Sequence, residues 1–416
     1  NRMLQNIKEY IYNLEAETLK GSGPSKHLRS VFKLLRQNSN AFSKKNINKV
    51  YKNADNQHIE KNLKINIDKL NLNNIETNNT CNLNCPMCDT LSSRRKKINM
   101  ELSNFEKVII EAKKINSKDR NIVSLHSVGE PMVSPQFEKY LEIIAKHKFK
   151  LSLSTNGLLI ERKINILKKY SHIIDEIRFS IDGATKETYE LMRFPAKHEK
   201  LIHNLEIFTK ENKNNKYFKN VKMCTVICKS TLPELALHYE VYGKYFPLNN
   251  MYFTVLNSLA PTDKFFKKDS VLGKHVILNN PCSAIFGNGH HVMANGDISP
   301  CSRDYHGEII VGNILKENFI DIVNNNKSVD LRKEQLKGIN RKGLVCETCY
   351  IINPKIVTLL SFYIKAIRIN HIYNNASIAK TQKKFEQFFN LFEDKFATVD
   401  EYENLFDFKN VPTLNY

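Results

Sequence analysis

Short apolar runs alternate along residues 74 to 256 with longer runs in which apolar residues recur every three or four positions. Apolar runs of four to eight residues are typical of buried strands, and the wider spacing is typical of amphipathic helices. Six strand candidates occur in this region: Ile75–Asn79, Ile122–Ser127, Leu151–Ser154, Ile174–Ile181, Val221–Ile227 and Met251–Val255. Strands joined by helical crossovers predict a parallel, right-handed α/β sheet that curls into a partial (β/α)6 barrel.

The segments between the strands carry helix signals. Ser103 is followed three residues later by Glu106, which predicts a capping box. Ser134 and Pro135 predict the start of the next helix. A later segment has Leu201, Ile202, Leu205 and Phe208 at the spacing of one helix face.

The flanking regions have a different pattern, which predicts four units. They are an N-terminal helical extension with a linker over 1–73, the barrel core over 74–258, a cysteine-bearing hairpin and helix domain over 259–350, and a C-terminal helical extension over 351–416. The N-terminal helices are predicted at Met3–Leu19 and His27–Leu35. The helix beginning near Pro354 is apolar and basic, and docking on the core is favoured over lying on a membrane surface.

Charge and cysteine content limit the class of protein and the cellular compartment that the sequence fits. Lys and Arg total 63 against 43 Asp and Glu, a net charge of +20 over 416 residues. This basic charge is spread along the chain without a dense block of interleaved aromatics, so it does not indicate a nucleic-acid-binding protein. Nine cysteines, several closely spaced, favour metal ligation in a reducing, cytoplasmic compartment over disulfides. The longest apolar run, Ile356–Ile364, is shorter than the ~20 residues of a transmembrane helix.

Three thiols, Cys81, Cys85 and Cys88, lie within eight residues directly after the first predicted strand. A 4Fe-4S cluster held by three protein thiolates has one iron open to bind another molecule. The alternatives are a zinc site that lacks its fourth ligand and three structural thiols.

Polar residues follow the other strands. Gly129 and Glu130 follow the second strand, Ser154 and Asn156 lie at the end of the third, Ser180 and Asp182 end the fourth, and Cys228 ends the fifth. Because the carboxyl ends of parallel strands meet at one edge, we expect these residues to surround one site together with the three thiols.

A second set of thiols follows the barrel: Cys282, Cys301, Cys346 and Cys349. Asn295-Gly296, between the first two, predicts a hairpin that brings them close, and a helix over about 317–336 returns the chain to the last two. Four thiolates fit either a second 4Fe-4S cluster or a structural zinc ion. The nearby His290, His291 and His306 are interpreted as surface or packing residues.

These motifs together resemble the radical S-adenosylmethionine superfamily. The resemblance rests on the Cys81-x3-Cys85-x2-Cys88 loop, on Gly129-Glu130-Pro131, on Thr155-Asn156-Gly157 and on the segment from Phe179 to Tyr189. The later four cysteines resemble the SPASM/Twitch subgroup with one auxiliary 4Fe-4S cluster. Val128 stands where the family usually has the first glycine of its Gly-Gly-Glu segment.

The resemblance implies specific roles. Cys81, Cys85 and Cys88 would hold the first 4Fe-4S cluster, whose open iron is chelated by S-adenosylmethionine. Gly129 and Glu130 would bind the methionyl amine, Ser154 and Asn156 the methionyl carboxylate, and Ser180 and Asp182 the ribose hydroxyls. An exposed location at a helix end is favoured for Arg193 over binding of a substrate anion. An electron donor such as flavodoxin or ferredoxin is the expected partner.

The implied reaction is cleavage of S-adenosylmethionine to a 5′-deoxyadenosyl radical, which takes a hydrogen atom from an unknown small-molecule or peptide substrate. The auxiliary cluster would accept an electron, so that a sugar-like or peptide substrate is dehydrogenated. One alternative is a radical epimerase or a peptide-modifying maturase in which Cys228 donates a hydrogen atom, although cysteine is more often a core residue. An alternative of another class is a non-catalytic iron-sulfur or zinc protein that binds RNA.

Overall fold

The structure is a computed structural model of residues 1 to 416, and it describes part of this chain. The described residues are 63–65, 70–88, 90, 93–116, 121–125, 127–257, 264–272, 282, 284–285, 289–336, 344–349, 360, 364, 367–368, 371–372 and 375–390. The helices predicted at Met3–Leu19 and His27–Leu35 lie outside them.

One sheet runs through the described part of the chain. Its strands are β1 Asn74–Ile75, β2 Ile122–Ser124, β3 Lys150–Thr155, β4 Ile174–Ser180, β5 Val221–Ile227, β6 Met251–Val255, β7 His291–Val292, β8 Asp297–Ser299 and β9 Gly312–Asn313. The order across the sheet is β6-β5-β4-β3-β2-β1-β7-β8-β9. The pairs from β1 to β6 are parallel, which confirms the predicted partial barrel.

Helices connect the strands and cover one face of the sheet. The α-helices are α1 Leu102–Ile115, α2 Phe137–Lys146, α3 Ile160–Lys169, α4 Lys186–Met192, α5 His198–Glu211, α6 Leu237–Tyr242, α7 Lys264–Asp269, α8 Phe319–Asn324, α9 Asn326–Leu336 and α10 Ile378–Asn390. Short 3-10 turns lie at Pro131–Val133, Lys213–Asn215, Leu232–Glu234, Leu248–Asn250 and Val345–Thr348.

Several predicted boundaries are wrong by a few residues. Strand β1 stops after two residues: the Glu76 N–H still donates to the Val292 carbonyl at 2.8 Å, but the Asn79 N–H donates to the Ile98 carbonyl at 3.3 Å in the loop. Helix α1 begins one residue earlier than predicted, and no side-chain hydrogen bond caps it at Glu101. The helix predicted from Ser134 begins at Phe137, since the Ser134 hydroxyl accepts the Gln136 N–H at 3.2 Å in a turn that precedes it.

The strands present one face to the helices and the other to the interior of the barrel. In β5, Val221, Met223 and Ile227 are buried in the apolar core, whereas the alternate Cys224 and Val226 line a cavity. This alternation follows from the period of two in a strand. The sequence therefore sorts core residues from cavity residues along each long strand.

Aromatic packing fixes β4 against its helices. The Phe179 ring meets Phe208 of α5 edge-on at a centroid distance of 5.0 Å and Phe246 at 5.4 Å. Gly157, with φ of +81°, leaves room for this ring, because a Cβ there would lie 3.0 Å from Phe179 Cδ1. The tight turn after β3 and the aromatic core are thus mutually dependent.

The second set of cysteines is carried by a hairpin that extends the same sheet. Strands β7 and β8 are antiparallel and turn at Gly296, which has φ of +86°, so the predicted hairpin is confirmed. Strand β7 pairs in parallel with β1, which joins the hairpin to the barrel. The predicted helix over 317–336 is two helices, because Asn325 is extended and its side chain accepts the Ser328 N–H at 2.9 Å.

The C-terminal segment packs on the barrel where it is described. Leu360, Ile364 and Ile367 recur at helical spacing and are buried in the main apolar core, as the sequence predicted for docking. Helix α10 packs nearby, where the Gln382 side chain donates to the Leu232 carbonyl at 2.7 Å. None of the helices in the described residues has the length and apolar composition of a membrane span.

A buried ion pair joins the barrel to the hairpin domain. Arg95 makes two hydrogen bonds to the Glu76 carboxylate, at 2.8 and 2.7 Å, and donates from Nε to the Tyr305 carbonyl at 2.9 Å. Glu76 also accepts the Ala294 N–H at 3.1 Å. The Glu76 side chain is 0% exposed and that of Arg95 is 12% exposed. One charge pair therefore holds together loops that are more than 200 residues apart.

We expect Arg95→Met to destabilise the fold by about 3–5 kcal/mol, because it leaves the Glu76 carboxylate buried without a partner. The change in free energy of unfolding is measured by urea titration. Lys139→Met at the exposed Lys139–Glu142 pair is the control and should change the free energy of unfolding far less, because solvent screens that pair. Equal effects of the two substitutions would contradict this interpretation of the Arg95 pair.

Candidate functional site

The carboxyl ends of the parallel strands surround one cavity of about 430 Å³. Its wall contains residues that follow or end each of β1 to β6, together with Arg303 and Tyr305 from the segment after β8. Most of the predicted site residues lie in this wall: Cys81, Cys85, Cys88, Gly129, Glu130, Ser154, Asn156 and Ser180. The prediction that strand-end residues meet at one edge is confirmed for this group.

The three clustered thiols form one side of the cavity. Cys81 Sγ accepts the Leu83 N–H at 3.4 Å and lies 3.9 Å from Asn156 Nδ2, and Cys85 Sγ lies 3.9 Å from Arg193 Nη1. Burial raises the pKa of the Cys81 thiol to about 12 and that of Cys85 to about 11. Buried sulfurs that face N–H donors become thiolates once a positive centre offsets the cost of burial, so this donor set fits an iron-sulfur cluster.

The Glu130 carboxylate forms the base of the wall next to the thiols. It is 3% exposed, and its oxygens accept the Met132 N–H at 3.3 Å and the Asn156 N–H at 2.7 Å. Burial raises its pKa to about 7, although these hydrogen bonds oppose the shift. A buried carboxylate in a cavity fits an amine that donates hydrogen bonds as its partner.

Gly129 brings this carboxylate close to the cysteine loop. Its φ is +90°, and a Cβ at this position would lie 2.6 Å from the Asn78 carbonyl and 2.8 Å from the Thr80 carbonyl. Only glycine fits here without movement of the backbone. Val128 stands where the family usually has a glycine. It does not disturb this contact, since its side chain is buried and lines the cavity.

An anion would find donors on β3 and β4. Ser154 pairs in register with Arg178, and both side chains line the cavity. Arg178 donates to Glu176 at 2.6 Å, while its buried Nε has no hydrogen-bond partner in the described part of the chain. The Asn156 amide, by contrast, bonds to Asn82 and Leu158. Sequence reasoning missed Arg178 because it lies within a strand and not at its end. The signal that could have found it is the two-residue period of β4, which puts Arg178 on the same face as Ser180.

Asp182 does not line the cavity. It is 0% exposed, and its carboxylate accepts the Val226 N–H at 2.5 Å and pairs with Arg193 at 2.5 Å. Arg193 lines the cavity with 13% of its side chain exposed, so the favoured exposed location for Arg193 was wrong. The reason is the ion pair with Asp182, which draws the end of α4 inward. Although burial opposes its charge, the Asp182 carboxylate and the Cys85 sulfur raise the pKa of Arg193.

Cys224 and Cys228, in and just after β5, have different surroundings. Cys228 lies past the strand end and is 0% exposed in a small apolar cluster with Met192, Leu256 and Phe266. Its backbone N–H donates to Thr231 Oγ1 at 3.0 Å as the chain turns away from the sheet, which removes the thiol from the cavity wall. Cys224 lines the cavity instead. A spacing of four residues puts two side chains on one face of a strand, but Cys228 lies beyond the end of β5, where this no longer holds.

The second set of thiols converges beside this cavity. Burial raises the pKa of Cys301 to about 12, and the neighbouring sulfurs of Cys346, Cys282 and Cys349 add to the shift. The Val345–Thr348 turn carries Cys346 and is followed by Cys349, whose N–H donates to the Cys346 carbonyl at 3.4 Å. Four soft donors brought together fit a cluster in which every iron is held by the protein.

The nearby histidines pack rather than reach the thiols. His290 meets Phe319 edge-on at 5.7 Å, and burial lowers the pKa of His291 to about 3. Within the described residues, no three His, Cys, Asp or Glu side chains converge on a single metal ion. A cubane cluster does not need such convergence, because each of its thiolates binds a different iron.

Two protein-family models match the chain. The radical SAM superfamily model matches residues 75–238, and the model of the SPASM iron-sulfur cluster-binding domain matches residues 282–350. The first covers the barrel strands up to β5, and the second covers the hairpin with all four later cysteines.

Two curated relatives match part of the chain. The chain is 29% identical over 109 residues to the tungsten-containing aldehyde ferredoxin oxidoreductase cofactor-modifying protein of Pyrococcus furiosus, covering 26% of this chain and 30% of the relative. It is 25% identical over 155 residues to the mycofactocin maturase MftC of Mycobacterium ulcerans, covering 37% of this chain and 39% of the relative. The matched region therefore spans less than half the length of each relative.

Two solved structures share the fold. The structure of anSMEcpe with bound AdoMet superposes with a TM-score of 0.50 at 20% identity, covering 77% of this chain and 98% of that one. The structure of Streptococcus suis SuiB bound to precursor peptide SuiA superposes with a TM-score of 0.51 at 17% identity, covering 68% of this chain and 70% of that one. At these identities the likeness describes the fold.

We expect the affinity for S-adenosylmethionine to rise with pH up to about 7, because its amine needs Glu130 as a carboxylate. The Glu130 pKa of about 7 lies above that of an unfolded glutamic acid, so the free protein holds a proton that binding must release. Well below this pKa, affinity should change up to about tenfold per pH unit. Equilibrium binding between about pH 5.5 and 7.5 measures this dependence.

Glu130→Gln removes the titrating group and keeps the size of the side chain. Its affinity should be lower at pH 7 and should rise less steeply with pH. A variant with the same pH dependence as the unchanged protein would show that Glu130 is not the group responsible.

Proposed function

The chain belongs to the radical SAM superfamily and carries a SPASM iron-sulfur domain, and we propose that it dehydrogenates a peptide or sugar-like substrate. In this proposal the first cluster and S-adenosylmethionine would supply removal of a substrate hydrogen atom, the second set of thiols would hold a group able to take one electron from the substrate, and a base would take the remaining proton. The observation that supports it most directly is a cavity with the three clustered thiols in its wall. Asn257 lies in the same wall and donates a hydrogen bond to Cys349 of the second set of thiols.

The residues that would hold the cofactors follow from the donor sets. Cys81, Cys85 and Cys88 would hold one 4Fe-4S cluster, and Cys282, Cys301, Cys346 and Cys349 an auxiliary 4Fe-4S cluster. When bound, the first cluster and S-adenosylmethionine supply one-electron cleavage of a carbon–sulfur bond and abstraction of an unactivated hydrogen atom.

The cavity residues would bind and orient S-adenosylmethionine. Glu130 would accept hydrogen bonds from the methionyl amine, and Ser154 with Arg178 would bind the methionyl carboxylate. Ser180 lies in the same wall and would bind a ribose hydroxyl, while Asp182 acts through Arg193, which it holds beside Cys85.

Other residues would keep water away from the reacting atoms. Leu83, Met87 and Val128 contribute apolar surface beside the thiols, and Leu256 closes the wall at the end of β6. A substrate at this edge would lie between the thiol loop and the hairpin domain, whose Arg303 and Tyr305 complete the cavity.

A peptide substrate is supported over a sugar by the curated relative that is named a maturase. The structural neighbour SuiB is described as bound to a precursor peptide, which fits the same class of substrate. The expected electron donor, a flavodoxin or ferredoxin, and the cytoplasmic location stay predictions.

A second candidate function is epimerisation, in which a protein thiol returns a hydrogen atom to the substrate. The placement of Cys224 in the cavity wall favours this thiol over Cys228. The product formed in D2O would carry one deuterium if such a donor acts. That label should disappear in Cys224→Ala and persist in Cys228→Ala, and its absence from the wild-type product would exclude this function.

Anaerobic reconstitution tests the main proposal. We expect about eight irons per chain and formation of 5′-deoxyadenosine after reduction in the presence of S-adenosylmethionine. A variant with Cys81, Cys85 and Cys88 all changed to alanine should hold about four irons and form no 5′-deoxyadenosine.

The matched control changes the other thiol set. Cys282→Ala combined with Cys301→Ala should still form 5′-deoxyadenosine but lose substrate oxidation. Bound zinc with no cleavage product would instead support the non-catalytic, RNA-binding alternative and sink the enzyme proposal.

A further inference from the structure

Asn257 lies between the cavity and the second set of thiols. The Leu256 N–H donates to the Ile227 carbonyl at 2.9 Å, which continues the β5–β6 pairing past the end of β6. Asn257 is the next residue and lines the cavity, yet it is only 5% exposed. The sheet therefore fixes the position of this side chain.

The two ends of the Asn257 amide have different surroundings. Nδ2 donates to Cys349 Sγ at 3.5 Å. Oδ1 is buried and has no hydrogen-bond partner in the described part of the chain. A buried carbonyl oxygen without a partner costs free energy, so apolar packing alone does not account for an asparagine here.

The chemistry of sulfur fixes which end of the amide faces Cys349. A thiolate that binds iron accepts hydrogen bonds and has none to donate, so the NH2 end must face the sulfur. Oδ1 is then left for a ligand in the cavity that carries an N–H or O–H group. Asn257 is thereby connected to both halves of the site.

We propose that Asn257 is a positioning residue that sets the reduction potential of the auxiliary centre through Cys349. A hydrogen bond to a cluster sulfur stabilises the more negative, reduced state and raises the potential. An acceptor of raised potential favours removal of an electron from a substrate in the adjacent cavity. This inference rests on the proposed function, because it requires a cluster at the four later cysteines.

The experiment isolates the auxiliary centre in the 416-residue chain. Cys81, Cys85 and Cys88 are changed to alanine so that iron binds at the second set alone, and the midpoint potential is measured by EPR-monitored titration. Asn257→Leu removes the donor at similar size, and Asn257→Asp replaces it with a negative oxygen. We expect the potential to fall in Asn257→Leu and to fall further in Asn257→Asp.

Asn250→Leu is the matched control, since Asn250 precedes the same strand at its other end and donates to the Val221 carbonyl. Its midpoint potential should equal that of the parent. Electron-nuclear double resonance in D2O gives a second readout: an exchangeable deuteron coupled to the cluster should be present in the parent and absent from Asn257→Leu.

The outcomes separate this inference from the proposed function. If the parent variant binds about four irons but the Asn257 substitutions leave its potential and deuteron signal unchanged, the inference is overturned and the proposed function stands. If the parent variant binds no iron, the auxiliary centre itself is refuted and the inference falls with it.

Discussion

The cost of burying thiols and charges at one end of a parallel sheet is the constraint on which this structure depends. Cys81, Cys85 and Glu130 are partly or fully buried, and burial raises the pKa of each. Their uncharged forms are therefore favoured in the protein alone. Cationic iron would offset that cost for the thiols, and an amine that donates hydrogen bonds would offset it for Glu130, so the cavity favours such ligands.

The supporting elements direct donors toward these groups and hold the two halves of the molecule together. The buried Asp182–Arg193 pair brings a guanidinium to Cys85, and the Arg95–Glu76 pair ties the cysteine loop to the hairpin domain. Such pairs gain little net free energy over apolar packing but are costly to break. Their contribution here is geometric, because each fixes one wall of the cavity.

Sequence reasoning found the residues whose chemistry is local and missed those that depend on tertiary contacts. The thiols, Glu130 and Ser154 were identifiable because strand ends share one edge and short motifs mark them. Arg193 was misjudged, since its ion pair with Asp182 joins elements that the chain pattern does not relate. Cys228 was the thiol considered as a hydrogen donor, but Cys224 lies in the cavity wall instead, because the chain turns away from the sheet at Cys228. Arg178 and Asn257 belong to no sequence motif, and only strand register and burial identify them as residues of the site.

The central claim is that an open iron held by Cys81, Cys85 and Cys88 binds the amino group of S-adenosylmethionine beside Glu130. Pulsed EPR of the reduced protein with S-adenosylmethionine labelled with 15N at that amino group tests it directly. The account predicts a 15N hyperfine coupling to the cluster in the wild type and its loss when the three cysteines are alanine. A reduced cluster at those cysteines with no coupling to the labelled nitrogen would contradict it.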